Sequence, residues 1–343
     1  MNERIEIRSY GKINLCLDVP GLLSNGYHEV NMVMQQILLH DDVAIRWTEE
    51  ERSAKRGGAA AEANRMRHTA EHAGGDVSGL KNVVDGIEIS VGTNRKYLPT
   101  DRRNLAWQAA ELMIRQFAKG RAGRIRIDMK KRIPVAAGLA GGSSNCAAVI
   151  HGINQLWELR LNLQELCDLG AQLGSDVPFC VMGQAAADPL LRPAFAGDPL
   201  ACHCAVATGR GTDLRPVKGL HSDLVLSKPP ISVSTAEAYR GVDEAVIPER
   251  PNVEEMVAAL AAENRQIVEK NMVNVLENFT LKRYPIVVYT KDKMQSLCKT
   301  GKVLMSGSGP TVFGLCESRD EAKRICEELR EMNRESFWTR TTW

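Results

Sequence analysis

The sequence predicts an α+β protein of two domains. Residues 5–19 alternate apolar and polar side chains as a strand does, and a glycine-rich turn at 134–148 separates a strand pattern from a helix pattern. A strand, turn, strand and helix pattern follows at 303–332, without the glycine spacing of a dinucleotide-binding fold. A length of 343 residues and an apolar content of 44% suit two domains. We therefore divide the chain into residues 1–183 and 184–343.

The N-terminal segment is predicted to form two strands joined by a turn. Period-two spacing places Lys12, Asn14 and Asp18 together on one face of the first strand. The turn covers residues 21–26, and the second strand covers the apolar run 30–39. A lysine on a strand's polar face is most often solvated, so this face alone does not define a site.

Three further elements are predicted before the glycine-rich turn. Residues 49–79 are rich in alanine, glycine and charge, which predicts a surface excursion. Residues 105–117 carry apolar side chains at helical spacing. Residues 124–133 alternate again and predict a half-buried strand that leads directly into the turn.

The turn itself, PVAAGLAGGSSNCAA at 134–148, has the composition of a phosphate-binding loop. Its glycines remove Cβ atoms, so the backbone can bend tightly and approach a ligand, and Ser143 and Ser144 are expected to cap the following helix and offer hydroxyls. Amide groups at a helix N-terminus attract anions. No lysine follows at Walker spacing. An ordinary glycine-rich turn is the alternative that the segment by itself leaves open.

The remaining elements are less uniform. Residues 162–165 form a capping-box pattern, and the helix they open is expected to end at Gly174 with a left-handed residue. Asp176 follows, and its local sequence suits a helix cap or turn. Residues 184–204 are rich in alanine and proline and predict no clear element.

Composition excludes several classes of function. A net charge of +2 gives no electrostatic basis for a nucleic-acid or membrane partner. The nine cysteines are scattered and predict reduced thiols, and Cys202 to Cys204 are too isolated to indicate zinc. No run of about 18 apolar residues is present, so a cytoplasmic protein is expected. Monomer and homodimer both stay open.

Three separated segments together resemble the GHMP kinase superfamily. They are SYGKINLCLDV at 9–19, the glycine-rich turn at 134–148, and MSGSGPTVFGL at 305–315. The resemblance implies ATP and Mg²⁺, an N-terminal domain like ribosomal protein S5 domain 2, and a ferredoxin-like C-terminal domain. Residues 11–15, 26–29 and 173–178 are similar to the branch that phosphorylates a cytidyl diphosphate ester of methylerythritol on the methylerythritol phosphate route to isoprenoids.

The resemblance also implies roles for individual residues. Asp176 would accept the proton of the attacking C2 hydroxyl, Lys12 would be its partner, and Asn14 would bind substrate. Tyr27 and His28 would recognise cytosine. The residues that would bind ATP are Pro134, Gly138, Leu139, Ala140, Gly141, Gly142, Ser143, Ser144, Asn104 and Leu105. A closing loop would comprise Gly307, Ser308 and Gly309. The resemblance leaves the magnesium ligands unassigned.

Two other functions remain open from the sequence. The first is another small-molecule kinase of the superfamily, acting on a mevalonate-like alcohol, homoserine or a sugar, which Tyr27 and His28 disfavour because those substrates have no base. The second is a catalytically silent ligand sensor, which the presence of Lys12 and Asp176 disfavours. An insertion at 184–204, beyond the usual length of the family there, threatens to distort the substrate site.

Overall fold

A computed structural model describes residues 2–24, 26–50, 82–298 and 301–343. The strands are β1 (Asn2–Leu22), β2 (His28–Glu49), β3 (Val83–Val84), β4 (Ile87–Thr93), β5 (Gly123–Lys130), β6 (Cys204–Thr208), β7 (Asp213–Pro216), β8 (Asp223–Lys228), β9 (Val303–Met305), β10 (Val312–Cys316) and β11 (Glu335–Arg340). The helices are α1 (Leu105–Phe117), α2 (Gly141–Leu156), α3 (Leu163–Ala171), α4 (Val177–Ala187), α5 (Thr235–Asp243), α6 (Val253–Ala261), α7 (Arg265–Lys270), α8 (Glu277–Arg283), α9 (Pro285–Leu297) and α10 (Arg319–Met332). The excursion predicted at 49–79 lies outside the described residues from position 51 onward.

The strands form two sheets. A seven-stranded sheet has the order β3-β4-β5-β2-β6-β7, with β1 paired to β2, and only the β4–β5 pair is parallel. A four-stranded antiparallel sheet has the order β11-β8-β10-β9. Helices pack against both sheets, and the prediction of an α+β fold is confirmed. Because β6 and β7 belong to the larger sheet, strands on both sides of residue 183 share it, and the boundary at 183/184 stays a prediction.

The long β1–β2 hairpin is bent by irregularities that decide which side chains face the site. Register shifts occur between Tyr10 and Lys12 and between Asn14 and Cys16. An extra residue in one strand reverses the alternation beyond it. Lys12 and Asn14 therefore share a face, as predicted, but Asp18 does not join them. Asp18 instead accepts a hydrogen bond from Arg250 Nη1 at 2.5 Å.

Several local predictions are confirmed by their hydrogen bonds. Helix α1 has the predicted bounds, and Asn104 caps it by accepting from the amide of Ala106. Helix α3 begins with the predicted capping box of Asn162 and Glu165. One local prediction is wrong, since α3 ends at Ala171 and Gly174 is not left-handed. No helix among the described residues combines the length and the apolar character needed to cross a membrane.

A buried histidine supports the helix that follows the glycine-rich turn. His151 in α2 is fully buried, and its Nε2 donates to the carbonyl oxygen of Val181 in α4 at 3.0 Å. Its Nδ1 has no hydrogen-bond partner in the described structure. Burial lowers the pKa of His151 to about 4, because the charged imidazolium would be desolvated. The native protein therefore keeps this ring neutral in mild acid.

We expect His151 to make the fold acid-sensitive. Below about pH 6.5 the His151 ring of the unfolded chain binds a proton, whereas in the native protein it does so only near pH 4. The free energy of unfolding therefore falls as the pH falls through this window. The loss between pH 7.5 and 5 is about 2 kcal/mol in the free energy of unfolding. Urea titrations of wild type and His151→Gln at both pH values measure it. Equal losses in the two proteins would contradict the expectation.

Candidate active site

A cavity of about 920 Å³ is lined by residues of the larger sheet and of a loop that joins two strands of the smaller sheet. Its walls come from β1 and the start of β2, the glycine-rich turn, the N-terminal end of α4, helix α5, and the loop between β9 and β10. The predicted site residues that line it are Lys12, Asn14, Tyr27, His28, Asn104, Leu105, Pro134, Gly138, Ala140, Gly141, Gly142, Ser143, Asp176, Gly307 and Ser308. The fold thus collects these side chains from distant parts of the chain.

Lys12 and Asp176 meet in this cavity. The Nζ atom of Lys12 lies 3.6 Å from Oδ2 of Asp176 and donates to Oδ1 of Asn14 at 2.7 Å. Lys12 is nearly buried, whereas the Asp176 side chain is 30% exposed. The ammonium is therefore held in place, and the carboxylate is open to a ligand. Asn14 in turn donates from Nδ2 to the sulfur of Met32 at 3.1 Å, which fixes the amide.

Asp176 occupies the N-cap position of α4 without acting as a cap. Its side chain accepts no capping hydrogen bond from the helix, and its backbone lies in the right-handed helical region, with φ −82° and ψ −10°. A capping aspartate accepts from the amides of the first turn. The carboxylate is therefore not engaged by the helix amides and lies beside Lys12, and the alternative that Asp176 is an ordinary helix cap is wrong.

The glycine-rich turn adopts an unusual backbone. Ala136, Gly138 and Ala140 all have positive φ, of 50°, 72° and 55°. An added Cβ at Gly138 would overlap the carbonyl oxygen of Ser306, and Ser306 Oγ donates to the carbonyl oxygen of Gly138 at 3.0 Å. The glycine therefore allows the turn to contact the loop after β9, which closes this side of the cavity.

Three residues predicted at the ligand lie outside the cavity lining. Leu139 is 1% exposed and contributes its carbonyl oxygen to the amide of Lys12 at 3.1 Å. Neither Ser143 nor Ser144 caps α2 as predicted, since Ala140 is the N-cap. The buried hydroxyl of Ser144 accepts from Ser9 Oγ at 2.8 Å. Gly309 packs against Met305. We assign all three a structural role in shaping the turn and the loop.

A buried ion pair lies beneath the turn. Nζ of Lys131 donates to Asp41 Oδ2 at 2.5 Å and to Asn145 Oδ1 at 2.8 Å. The other oxygen of Asp41 accepts from the backbone amides of Arg132 and Ile133, at 2.6 and 2.8 Å. Burial lowers the pKa of Lys131, and the charge of Asp41 opposes this effect. Sequence reasoning missed this pair, although a lysine just before a phosphate loop was a usable signal.

The loop after β9 is fastened by an asparagine that the sequence did not single out. Asn274 is 2% exposed, and its Nδ2 donates to the carbonyl oxygens of Met305 and Gly307, both at 2.8 Å. An added Cβ at Gly307 would lie 3.3 Å from the carbonyl oxygen of Gly138 and 3.4 Å from Oδ1 of Asn14. The loop therefore lies against both the turn and the side-chain amide of Asn14.

Two tyrosine rings and an imidazole line the cavity around the start of β2. Tyr27 is 56% exposed, and the ring of His28 lies 5.2 Å from that of Tyr239 on α5. Nε2 of His28 lies 3.0 Å from both carboxylate oxygens of Asp243. Burial raises the pKa of the Tyr239 hydroxyl, and the charge of Asp176 adds to the shift. Nothing in the sequence indicated Tyr239 or Asp243, because α5 approaches β2 only in the folded chain.

The segment 184–204 lies outside the cavity lining. Asp188 accepts hydrogen bonds from the amides of Arg8 and Leu190, both at 2.8 Å, and Leu191 and Phe195 join the core around α2. None of the residues from 184 to 204 lines the cavity. Gln184 even supports the turn, since its Nε2 donates to the carbonyl oxygen of Ser144 at 2.8 Å. The segment therefore does not enter the cavity, and its described contacts are with the core and with the turn.

Comparison with known families defines the class of protein. The family model for the GHMP kinases N terminal domain matches residues 104–184, and that for the GHMP kinases C terminal matches residues 256–335. The first match contains the glycine-rich turn and Asp176, and the second contains Asn274 and the loop after β9. The fold is that of a GHMP kinase.

Curated relatives narrow the class. The chain is 39% identical, over 95% of its length and 93% of the relative's, to a 4-diphosphocytidyl-2-C-methyl-D-erythritol kinase of Alkaliphilus metalliredigens. It is 40% identical over the same shares to one of Bacillus pumilus. A solved 4-(cytidine 5'-diphospho)-2C-methyl-D-erythritol kinase matches with a TM-score of 0.69 and 26% identity, covering 99% of this chain and all of that one. The chain belongs to the family of 4-diphosphocytidyl-2-C-methyl-D-erythritol kinases.

Proposed function

We propose that this enzyme transfers the γ-phosphoryl group of ATP to the C2 hydroxyl of 4-diphosphocytidyl-2-C-methyl-D-erythritol, a step of the methylerythritol phosphate route. The observation that carries the proposal is the Lys12–Asp176 pair, 3.6 Å apart in a cavity that the glycine-rich turn also lines. The family relationship supports the substrate. A cytoplasmic location remains a prediction.

The pair suits phosphoryl transfer to an alcohol. This reaction passes through a loose transition state, so it requires positioning, charge stabilisation and an acceptor for the hydroxyl proton. The Asp176 carboxylate caps no helix amide and is 30% exposed, so it accepts that proton. Lys12 is held by Asn14 at 2.7 Å, so its charge is fixed beside the reacting oxygens. The proton moves from the C2 oxygen to the carboxylate as the oxygen–phosphorus bond forms and ADP leaves.

The backbone of the turn would hold the ATP phosphates. Amides at the start of α2 face an anion beside the positive end of the helix dipole. Lys131 and Asp41 brace the turn from below, which keeps these amides in position. Asn104 and Leu105, at the start of α1, line the same cavity and would flank the adenine.

The oxygen atoms of the site suit a magnesium ion bound together with ATP. Within the described residues no three His, Cys, Asp or Glu side chains form a group that could hold a metal. Mg²⁺ commonly binds through one or two protein oxygens, substrate phosphates and water. The Ser143 hydroxyl supplies such an oxygen on the cavity wall. When bound, the ion would neutralise charge on the phosphates.

The part of the cavity around Tyr27 and His28 favours the cytidyl substrate over the substrates of other alcohol kinases. Two aromatic rings and an imidazole suit a nucleobase, whereas mevalonate, homoserine and sugars would leave them without a partner. Arg210 and Arg240 also line the cavity and suit a diphosphate. The test is ADP release with ATP and Mg²⁺ against a panel of the cytidyl substrate, mevalonate, homoserine and galactose. Activity confined to the cytidyl substrate is expected, and activity on another member alone would refute the proposal.

Tyr27→Ala is expected to weaken cytidyl substrate binding by about 1–3 kcal/mol and leave ATP binding unchanged, because the lost ring would stack on the base. Isothermal titration with the substrate and with an unreactive ATP analogue measures both. Tyr289→Ala, which removes a 63% exposed ring on α9, is the control. Equal weakening of both ligands in the Tyr27 variant would show a general structural defect instead.

A further inference from the structure

The hydrogen-bonded contact between His28 and Asp243 has no role in phosphoryl transfer. We infer that Asp243 is a positioning residue that fixes the protonation pattern of the His28 ring, and that this pattern makes the site select cytosine over uracil. The inference rests on the proposed function and names how that site distinguishes its nucleobase. It follows from the geometry of the pair, the chemistry of a carboxylate, and the hydrogen-bonding edges of the two bases.

The pair is built from two separate elements. His28 is the first residue of β2, and Asp243 is the last residue of α5. Nε2 of His28 is equidistant from the two carboxylate oxygens, at 3.0 Å from each. The His28 side chain is only 14% exposed, and the Tyr239 ring packs on it at 48°. The imidazole is therefore held in one orientation.

The contact decides which ring nitrogen carries the proton. An ionised carboxylate only accepts hydrogen bonds, so Nε2 must be the donor. In a neutral imidazole the other nitrogen, Nδ1, is then an acceptor. Both carboxylate oxygens of Asp243 lie at Nε2, so Asp243 does not occupy Nδ1. His28 lines the cavity, whereas Asp243 does not. The Nε2 atom is therefore bound by Asp243 outside the cavity, and Nδ1 is the ring nitrogen that a ligand in the cavity can reach.

An acceptor at this place distinguishes the two pyrimidines. Cytosine carries an amino donor at its 4-position, whereas uracil carries a carbonyl acceptor there. Nδ1 pairs with the amino group and opposes the carbonyl. Such a site strongly disfavours the wrong base, because that base removes water from the polar protein atom without offering it a hydrogen bond. Removing Asp243 lets the ring adopt either tautomer, and the discrimination falls.

The experiment compares wild type with Asp243→Asn, using the cytidyl substrate and its uridine counterpart. Asparagine both donates and accepts, so it supports either tautomer with little change in shape. We expect KM for the cytidyl substrate to rise about tenfold, kcat to stay within about twofold, and the preference for cytidine over uridine to fall about tenfold. Glu244→Gln, at the neighbouring exposed position outside the cavity lining, is the matched control.

Nitrogen NMR of wild-type protein with isotope-labelled histidine adds a direct readout that does not depend on the variant folding. A neutral His28 ring protonated at Nε2 is expected. A doubly protonated ring, a ring protonated at Nδ1, or unchanged base preference in Asp243→Asn would each overturn the inference. If wild type phosphorylates no cytidyl substrate, the proposed function fails; if it does so and the variant keeps its selectivity, only the role of Asp243 fails.

Discussion

Replacing Asp176 by asparagine is expected to lower turnover by about 10²–10⁴-fold while folding and ATP binding persist. The change removes a proton acceptor at nearly constant volume. It removes no helix cap, since the Asp176 side chain makes no capping hydrogen bond. It also leaves the ammonium of Lys12, 3.6 Å away, bonded to Asn14. Steady-state ADP release and calorimetry with an ATP analogue measure the two effects separately.

Asp168→Asn is the matched control for this variant. Asp168 is exposed on α3 and bonds Gln164 within its own helix, so its loss alters charge but no cavity residue. We expect its turnover to match wild type. Near-normal turnover in Asp176→Asn would show that the transferred proton goes elsewhere and would remove the role assigned to this carboxylate.

Gly138→Ala is expected to lower kcat/KM by about 10²-fold, because a single methyl group would displace two loops that close the cavity. The residue has φ 72°, which side chains rarely adopt, and its added Cβ would overlap the carbonyl oxygen of Ser306. The turn or the loop after β9 must shift. Displacements of about 1 Å in a positioning element cost turnover on this scale.

Calorimetry with an ATP analogue and thermal unfolding separate a local shift from a global defect in this variant. ATP affinity is expected to fall while most of the melting temperature is kept. Gly21→Ala is the control, because nothing lies within 4 Å of the added Cβ and no positive φ is required there. Wild-type ATP affinity and turnover in Gly138→Ala would show that the contact between turn and loop is dispensable.

Features that depend only on residues close together in the sequence could be predicted from the sequence. The bounds of α1, the capping box at Asn162, and the apolar stripe of α10 follow from local hydrogen bonding and from periodic burial. The glycine-rich turn was also readable, because Gly138 lies at a positive φ and in close contact with Ser306, where a side chain would not fit, although Ala136 and Ala140 adopt positive φ as well. The family resemblance rested on such segments, and the curated relatives confirm it.

Features that depend on distant segments were decided by the tertiary structure. A bulge after Asn14 turned Asp18 away from the site, because one extra residue reverses a strand's alternation and local sequence does not reveal register. Tyr239, Asp243 and Asn274 joined the site through packing of later elements, for which periodicity carries no information. By itself the sequence therefore determined the fold class and the family. The tertiary structure decided that the Asp176 carboxylate makes no capping hydrogen bond, and it decided which side chains line the cavity. Both depend on contacts between segments that are distant in the sequence.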